Sequence, residues 1–152
     1  MTLSLIIGLY VGIGVLAAVG SIAISKKQFS AKGEQIFYGL LLAPIAAMYL
    51  AFTAHFAASD AWRLETMAVS FFAILGVLGT RVSVLLMLGY ALHGAWDLIH
   101  EVLLYERTSG ASAGSLTEIP LAYGAFCAAF DWFMVGYFYA RRDHWKAAWQ
   151  AP

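Results

Sequence analysis

The sequence predicts an all-α, polytopic membrane protein folded as a single domain, a bundle of five transmembrane helices. Three observations predict it. Of 152 residues, 62% are apolar and only 12% charged, with a mean hydropathy of +0.76, whereas an ordinary soluble domain carries about 25% charged residues. The apolar residues gather into five runs divided by short polar connections. Finally, Lys and Arg concentrate on alternate connections, as the positive-inside rule requires of a polytopic chain.

The first span, about 2–24, holds no charged residue and is long enough for a hydrocarbon core of about 30 Å. A cleaved signal peptide is the rival reading, but no positive side chain precedes Leu3, and the run exceeds the usual 7–15 residues of such a peptide. The second span, about 35–58, carries one ionisable residue, His55, near its far end. The third, about 64–80, is short, a length that local thinning or snorkelling accommodates. Arg81 interrupts the apolar sequence, so a tight connection is expected at Thr80–Arg81. The fourth span, about 82–105, leads into the polar segment 106–117, and the fifth covers about 118–140. Ser115 and Glu118 are spaced as a capping box for that last helix, with Pro120 in its first turn.

Five spans place Lys26, Lys27, Lys32, Arg81, Arg141, Arg142 and Lys146 on one side and only Arg63 and Arg107 on the other. The N-terminus is therefore expected outside and the C-terminus in the cytoplasm. A four-span arrangement would put Arg81 at membrane depth and lose the asymmetry. Trp62 and Tyr105 at the outer ends, and Tyr137, Tyr139, Trp145 and Trp149 at the inner ends, are expected in interfacial belts, with the tail 141–152 on the cytoplasmic surface. Gly8 and Gly12 form a GxxxG pair, read as packing within the bundle or as a homodimer face. The aromatic residues of the fifth span, Phe126, Phe130, Trp132 and Phe133, read as a lipid-facing or packing surface.

Balanced charge, nine basic against nine acidic residues, and the lack of any basic block exclude the footprint of a nucleic-acid binder. The single cysteine, Cys127, can form neither an internal disulfide nor a thiolate cluster. It reads as a small buried hydrophobe one turn before Asp131.

The chemistry is concentrated in Tyr90-Ala-Leu-His-Gly-Ala-Trp-Asp-Leu-Ile-His-Glu101. At about 100° per residue, His93, Asp97, His100 and Glu101 form one stripe on the fourth helix. Such a stripe must face the bundle interior or a water-filled cavity, because lipid satisfies no polar group. Asp131 lies about 16 Å inside Pro120 at the helical rise, level with His93. His55 is level with His100. One elongated cluster is expected, running from His93 and Asp131 through Asp97 to His100, His55 and Glu101 in the outer half of the bilayer.

His93-x-x-Trp96-Asp97-x-x-His100, with Cys127-x-x-x-Asp131 on the last helix, resembles a family of small bacterial membrane proteins that carry a domain of unknown function. The resemblance covers roughly the last third of the chain. It departs at Glu101, where the family pattern has a second adjacent histidine, and the role of that position as a ligand is correspondingly open. The resemblance implies a shared site and assigns no activity; a bacterial inner membrane is the expected location.

Imidazoles and carboxylates at these spacings suit a divalent metal, whether zinc, iron, manganese or copper. His93, Asp97, His100, Asp131 and His55 are the candidate ligands. A metal would offset the burial of several carboxylates without lysine or arginine nearby. The bland alternative is a hydrogen-bonded network that holds the helices together. A haem ligated by His55 and His100 would leave the carboxylates unexplained. With metal, two classes follow. One is a metal-dependent hydrolase or oxidoreductase acting on a lipid-like substrate that arrives sideways from the bilayer, with Glu101 or Asp97 as general base. The other is a carrier in which protons or metal ions step along the stripe, although no internal repeat supplies the symmetric halves usual in alternating access. A haem- or pigment-binding accessory subunit is a third class.

Overall fold

The computed structural model of the protein describes residues 2–108 and 116–151. These form five helices, α1 (Thr2–Gln28), α2 (Ala31–His55), α3 (Trp62–Gly79), α4 (Ser83–Thr108) and α5 (Tyr123–Gln150), with a 3₁₀ turn at Ser59–Ala61 between α2 and α3. No strand occurs among the described residues. Three stretches, Leu3–Gln28, Ala31–His55 and Ser59–Gly79, are long and apolar enough to cross a membrane.

The distribution of side chains is inverted relative to a water-soluble bundle. Leu5, Leu9, Leu16 and Ile24 of α1, Met67, Ile74 and Val77 of α3, and Val84, Leu88 and Ile99 of α4 are exposed, while Glu34, Glu65, His93, Asp97, His100 and Asp131 are buried. The apolar core lies toward the end of the bundle where α1 and α3 finish. It joins Tyr38, Leu42 and Ala46 of α2 to Phe72, Leu86, Tyr90, Met134, Phe138 and Trp145.

α1 packs on α5, α5 on α4, α4 on α3 and α3 on α2, whereas α1 scarcely touches α2. The helices thus form an arc with a seam between α1 and α2. Glycine permits the closest approach, between α2 and α3. A Cβ on Gly39 would lie 2.6 Å from the carbonyl oxygen of Gly76 and 2.9 Å from the amide nitrogen of Thr80, so only glycine fits without moving backbone. Gly8 and Gly12 play no such part: a Cβ on either meets nothing within 4 Å, and both sit on the exposed face of α1.

The connection expected at Thr80–Arg81 is present, α3 ending at Gly79 and α4 starting at Ser83. Two local expectations are corrected. Helix α5 starts at Tyr123, so Pro120 precedes it instead of occupying its first turn; Ser115, the proposed cap, lies outside the described residues. Ala122 enters the helix in the left-handed conformation, φ 61°, and its methyl group cannot cap the free amides. Glu101 of α4 does so instead, its carboxylate accepting from the backbone N–H of Ala122 at 3.1 Å and of Gly124 at 3.0 Å.

The second correction concerns Trp145 and Trp149, expected in an interfacial belt; the segment that carries them continues α5 to Gln150. Trp145 is fully buried there, and its indole N–H donates to Glu34 Oε2 at 3.0 Å. The same oxygen accepts from Arg141 Nη2 at 2.7 Å and Nε at 3.1 Å, and Tyr137 donates to the other carboxylate oxygen. Gln35 bonds the Gly79 carbonyl at 2.9 Å and accepts from Trp149 Nε1 at 2.9 Å. The end of α5 is therefore fastened to the start of α2 through one buried acid that accepts four hydrogen bonds, three on Oε2 and one on the other oxygen.

Candidate metal centre

Midway along α4, His93 faces Asp131 of α5 and Asp97 one turn further along its own helix. His93 Nδ1 is 2.7 Å from Asp131 Oδ2 and 3.2 Å from Asp97 Oδ2. One donor atom from each of the three residues lies within 4.8 Å of the others, and all three side chains are buried. The i,i+4 spacing stacks His93 over Asp97 on one helical face. Gly94 admits α5 beside that face, since a Cβ there would meet Trp132 Nε1 at 2.9 Å and Asp131 Cβ at 3.2 Å.

Tyr49 of α2 completes the group by donating its hydroxyl to Asp97 Oδ1. Its ring lies against that of His100, with centroids 4.3 Å apart. Neither Tyr49 nor Glu65 was marked by the sequence pattern. Glu65 carried a signal, being an ionisable residue inside the third apolar run and therefore costly unless partnered. Tyr49 carried none, because an aromatic residue within a span reads equally well as lipid-facing.

The structure divides the expected elongated cluster. His100 turns to Glu65, with Nε2 2.9 Å from Oε1, and its Nδ1 lies 3.0 Å from the Trp96 carbonyl oxygen. Glu65 Oε1 also accepts from the Thr117 amide at 3.0 Å. Glu101 is spent on the start of α5 as described, although its sequence position put it on the same stripe. At 80° from His93 its side chain reaches past the cluster to the next helix instead of into it. His55 ends α2 on the exposed surface, against the ring of Phe56. Matched depth did not bring it to His100, because the side chain points outward from the arc. Cys127 is buried.

The centre is electrostatically incomplete. Asp97, Asp131 and Glu65 are buried, and among the described residues no lysine or arginine pairs with any of them. Among the described residues, five buried side-chain polar atoms have no hydrogen-bond partner: His93 Nε2, Asp97 Oδ2, Asp131 Oδ1, Glu65 Oε2 and Trp96 Nε1. Each such orphan costs about 1–3 kcal/mol, and the first three belong to the group that could hold an ion. Donors about 2.0–2.1 Å from a tetrahedral metal stand about 3.3 Å apart; His93 Nδ1 and Asp97 Oδ2, at 3.2 Å, already stand so, whereas His93 Nδ1 and Asp131 Oδ2 share a hydrogen bond at 2.7 Å and would have to part to admit an ion between them.

A pocket of about 260 Å³ reaches this centre from the seam side. Ala17, Leu41, Ile45, Met48 and Phe130 form its apolar walls, and Asp131 lies at its polar end. Comparison of the chain with protein-family models, curated proteins and solved structures finds no match.

Proposed function

We propose that the chain is an integral protein of the bacterial inner membrane with five spans, its N-terminus outside and its C-terminus cytoplasmic, and that His93, Asp97 and Asp131 bind one divalent transition metal within the bilayer. The observation that carries the metal reading is a buried imidazole between two buried carboxylates, with orphaned oxygens on both acids and, among the described residues, no lysine or arginine to balance them. Five spans are favoured over three by the outward faces of α4 and α5. Val84, Leu88, Leu92, Ile99 and Val102, then Trp132 and Phe133, are exposed, while the ionisable residues midway along these helices, His93, Asp97, His100 and Asp131, are buried.

The chemistry follows from the surroundings. A metal at this point supplies Lewis-acid polarisation or an acidified water. Asp97 or Asp131 then offers a carboxylate oxygen free to take a proton, and Tyr49 holds Asp97 in place. The walls of the seam pocket are apolar, which favours an acyl or isoprenoid chain as the part of a substrate that lies there, and a hydrolytic or oxidative reaction at a polar group near Asp131. One observation favours a second reading as proton or metal-ion carrier: Tyr49, Asp97, His93 and Asp131 form a continuous chain of polar contacts.

The test is thermal melting of detergent-purified protein with zinc, iron, manganese or copper, and with a chelator. Metal bound only to the folded form adds about 2.7 kcal/mol at a hundredfold excess over Kd. His93→Ala and Asp131→Ala should each abolish the shift, and His55→Ala should leave it intact. Protons compete with metal for the same lone pairs, so the shift should shrink as pH is lowered. Melting indifferent to all four metals and to chelator would return the site to the carrier or scaffold reading.

A further inference from the structure

At the opposite end of the bundle from His55, a second pocket has a different character. It has a volume of about 350 Å³ and is lined by Arg81 and Ser83 from the α3–α4 connection and the start of α4, and by Arg142, Asp143, Lys146 and Trp149 from the end of α5. Arg81 and Lys146 line it with one carboxylate, Asp143, while the guanidinium of Arg142 lies 3.6 Å from the centroid of the Tyr139 ring, donates to the Tyr139 carbonyl at 3.1 Å and stands only loosely with Asp143, which is 3.8 Å from Nε. A fourth cation stands nearby, Lys32 Nζ lying 5.5 Å from the centroid of the Trp149 ring.

Arg81 is prepared for a ligand. Its guanidinium lies over Trp149, 4.0 Å from the ring centroid, and among the described residues its N–H donors take part in no hydrogen bond or ion pair. Beside it, at the start of α4, the N–H of Ser83, which lines the pocket, has no backbone acceptor among the described residues. A helix start of this kind adds positive potential on the same side.

The positive-inside rule explains why basic residues collect at this end of the molecule. It does not require them to converge. Arg141 is consumed by Glu34, and Lys26 and Lys27 lie elsewhere, on α1. Arg81, Arg142 and Lys146, which come from two separate elements, instead share one pocket with too little negative charge to balance them. Like charges held together repel unless an anion lies between them.

We propose that this pocket binds a phosphate group. Arg81 supplies a planar two-pronged donor, Lys146 and Arg142 supply charge, and Ser83 at the start of α4 supplies a backbone amide. The same phosphate chemistry is presented by an anionic phospholipid headgroup and by free phosphate in solution. The site is independent of the metal centre.

The experiment uses the full chain and reads Trp149 fluorescence as the difference from Trp149→Phe. One arm titrates inorganic phosphate against sodium chloride at equal ionic strength, with the protein in a neutral detergent. The other compares phosphatidylcholine nanodiscs with and without phosphatidylglycerol. A saturable response is expected in at least one arm: to inorganic phosphate if the ligand is free, or to phosphatidylglycerol alone if it is a headgroup. Arg81→Gln with Lys146→Gln should weaken it at least about tenfold, since each charged hydrogen bond lost is of that order. Arg81→Lys, which keeps the charge and loses the planar fork, should fall between. Lys27→Gln, a cation outside the pocket, should change nothing. No saturable response in either arm, or a loss in Lys27→Gln equal to that of the double variant, would overturn the proposal.

Discussion

Replacing Glu101 separates the two roles that its position allows. On the stripe of α4 it could serve the centre as an acid or base; in the structure both carboxylate oxygens are committed to the start of α5, at 3.1 Å from the Ala122 amide and 3.0 Å from that of Gly124. Hydrogen bonds to a charged group contribute about 1.5–3 kcal/mol each. Glu101 is half-buried, so water recovers part of that loss, and Glu101→Ala should destabilise the fold by about 2–4 kcal/mol. Glu101→Gln keeps one acceptor oxygen and should lose roughly half as much. The assay is equilibrium unfolding in mixed detergent micelles, run beside a metal titration of the folded fraction. Stability should fall in the order wild type, Gln, Ala while metal affinity stays within about twofold of wild type, because Glu101 supplies none of the ligand atoms. Unchanged stability with a loss of metal affinity in both variants would refute this assignment and restore Glu101 to the centre.

Three other outcomes follow from the packing. Gly39→Ala should cost about 1–3 kcal/mol through the clash with the Gly76 carbonyl and Thr80 amide, whereas Gly8→Ala and Gly12→Ala should be neutral; equilibrium unfolding of the three variants checks this. Glu34→Ala would strand Arg141, Tyr137 and Trp145 around a missing acid and should cost about 3–5 kcal/mol, seen in the same unfolding assay as an earlier midpoint. Single cysteines at positions 28 and 60, in a Cys127→Ala background, should be labelled from opposite sides of the membrane by an impermeant maleimide; labelling from one side would contradict the five-span topology.

How much of this was legible in the sequence differs from element to element. The helical class and the break at Arg81 followed from hydropathy and from one charge that lipid could not accommodate. The pairing of His93, Asp97 and Asp131 followed from helical periodicity and depth, which are properties of single helices. What failed depended on which way a side chain points from its helix relative to the neighbours. His55 and His100 share a level, but depth says nothing about azimuth. Glu101 lies on the right stripe, yet at its edge, where the nearest need is the uncapped start of α5. Trp145 and Trp149 were expected at the lipid interface because aromatic residues near basic ones usually sit there. Only their partners on α2, Glu34 for Trp145 and Gln35 for Trp149, each more than a hundred positions away in the chain, explain their pairing. Small residues on α1 could not be sorted into packed and open positions before its neighbours were known.

The central claim concerns a metal held by one imidazole and two carboxylates, and X-ray absorption spectroscopy of zinc-loaded protein tests it most directly. The account predicts a first shell of nitrogen and oxygen at about 2.0–2.1 Å with outer-shell scattering from a single imidazole, lost in His93→Ala and altered in Asp131→Ala. A shell with two or more imidazoles, a sulfur scatterer from Cys127, or a spectrum unchanged by His93→Ala would contradict it.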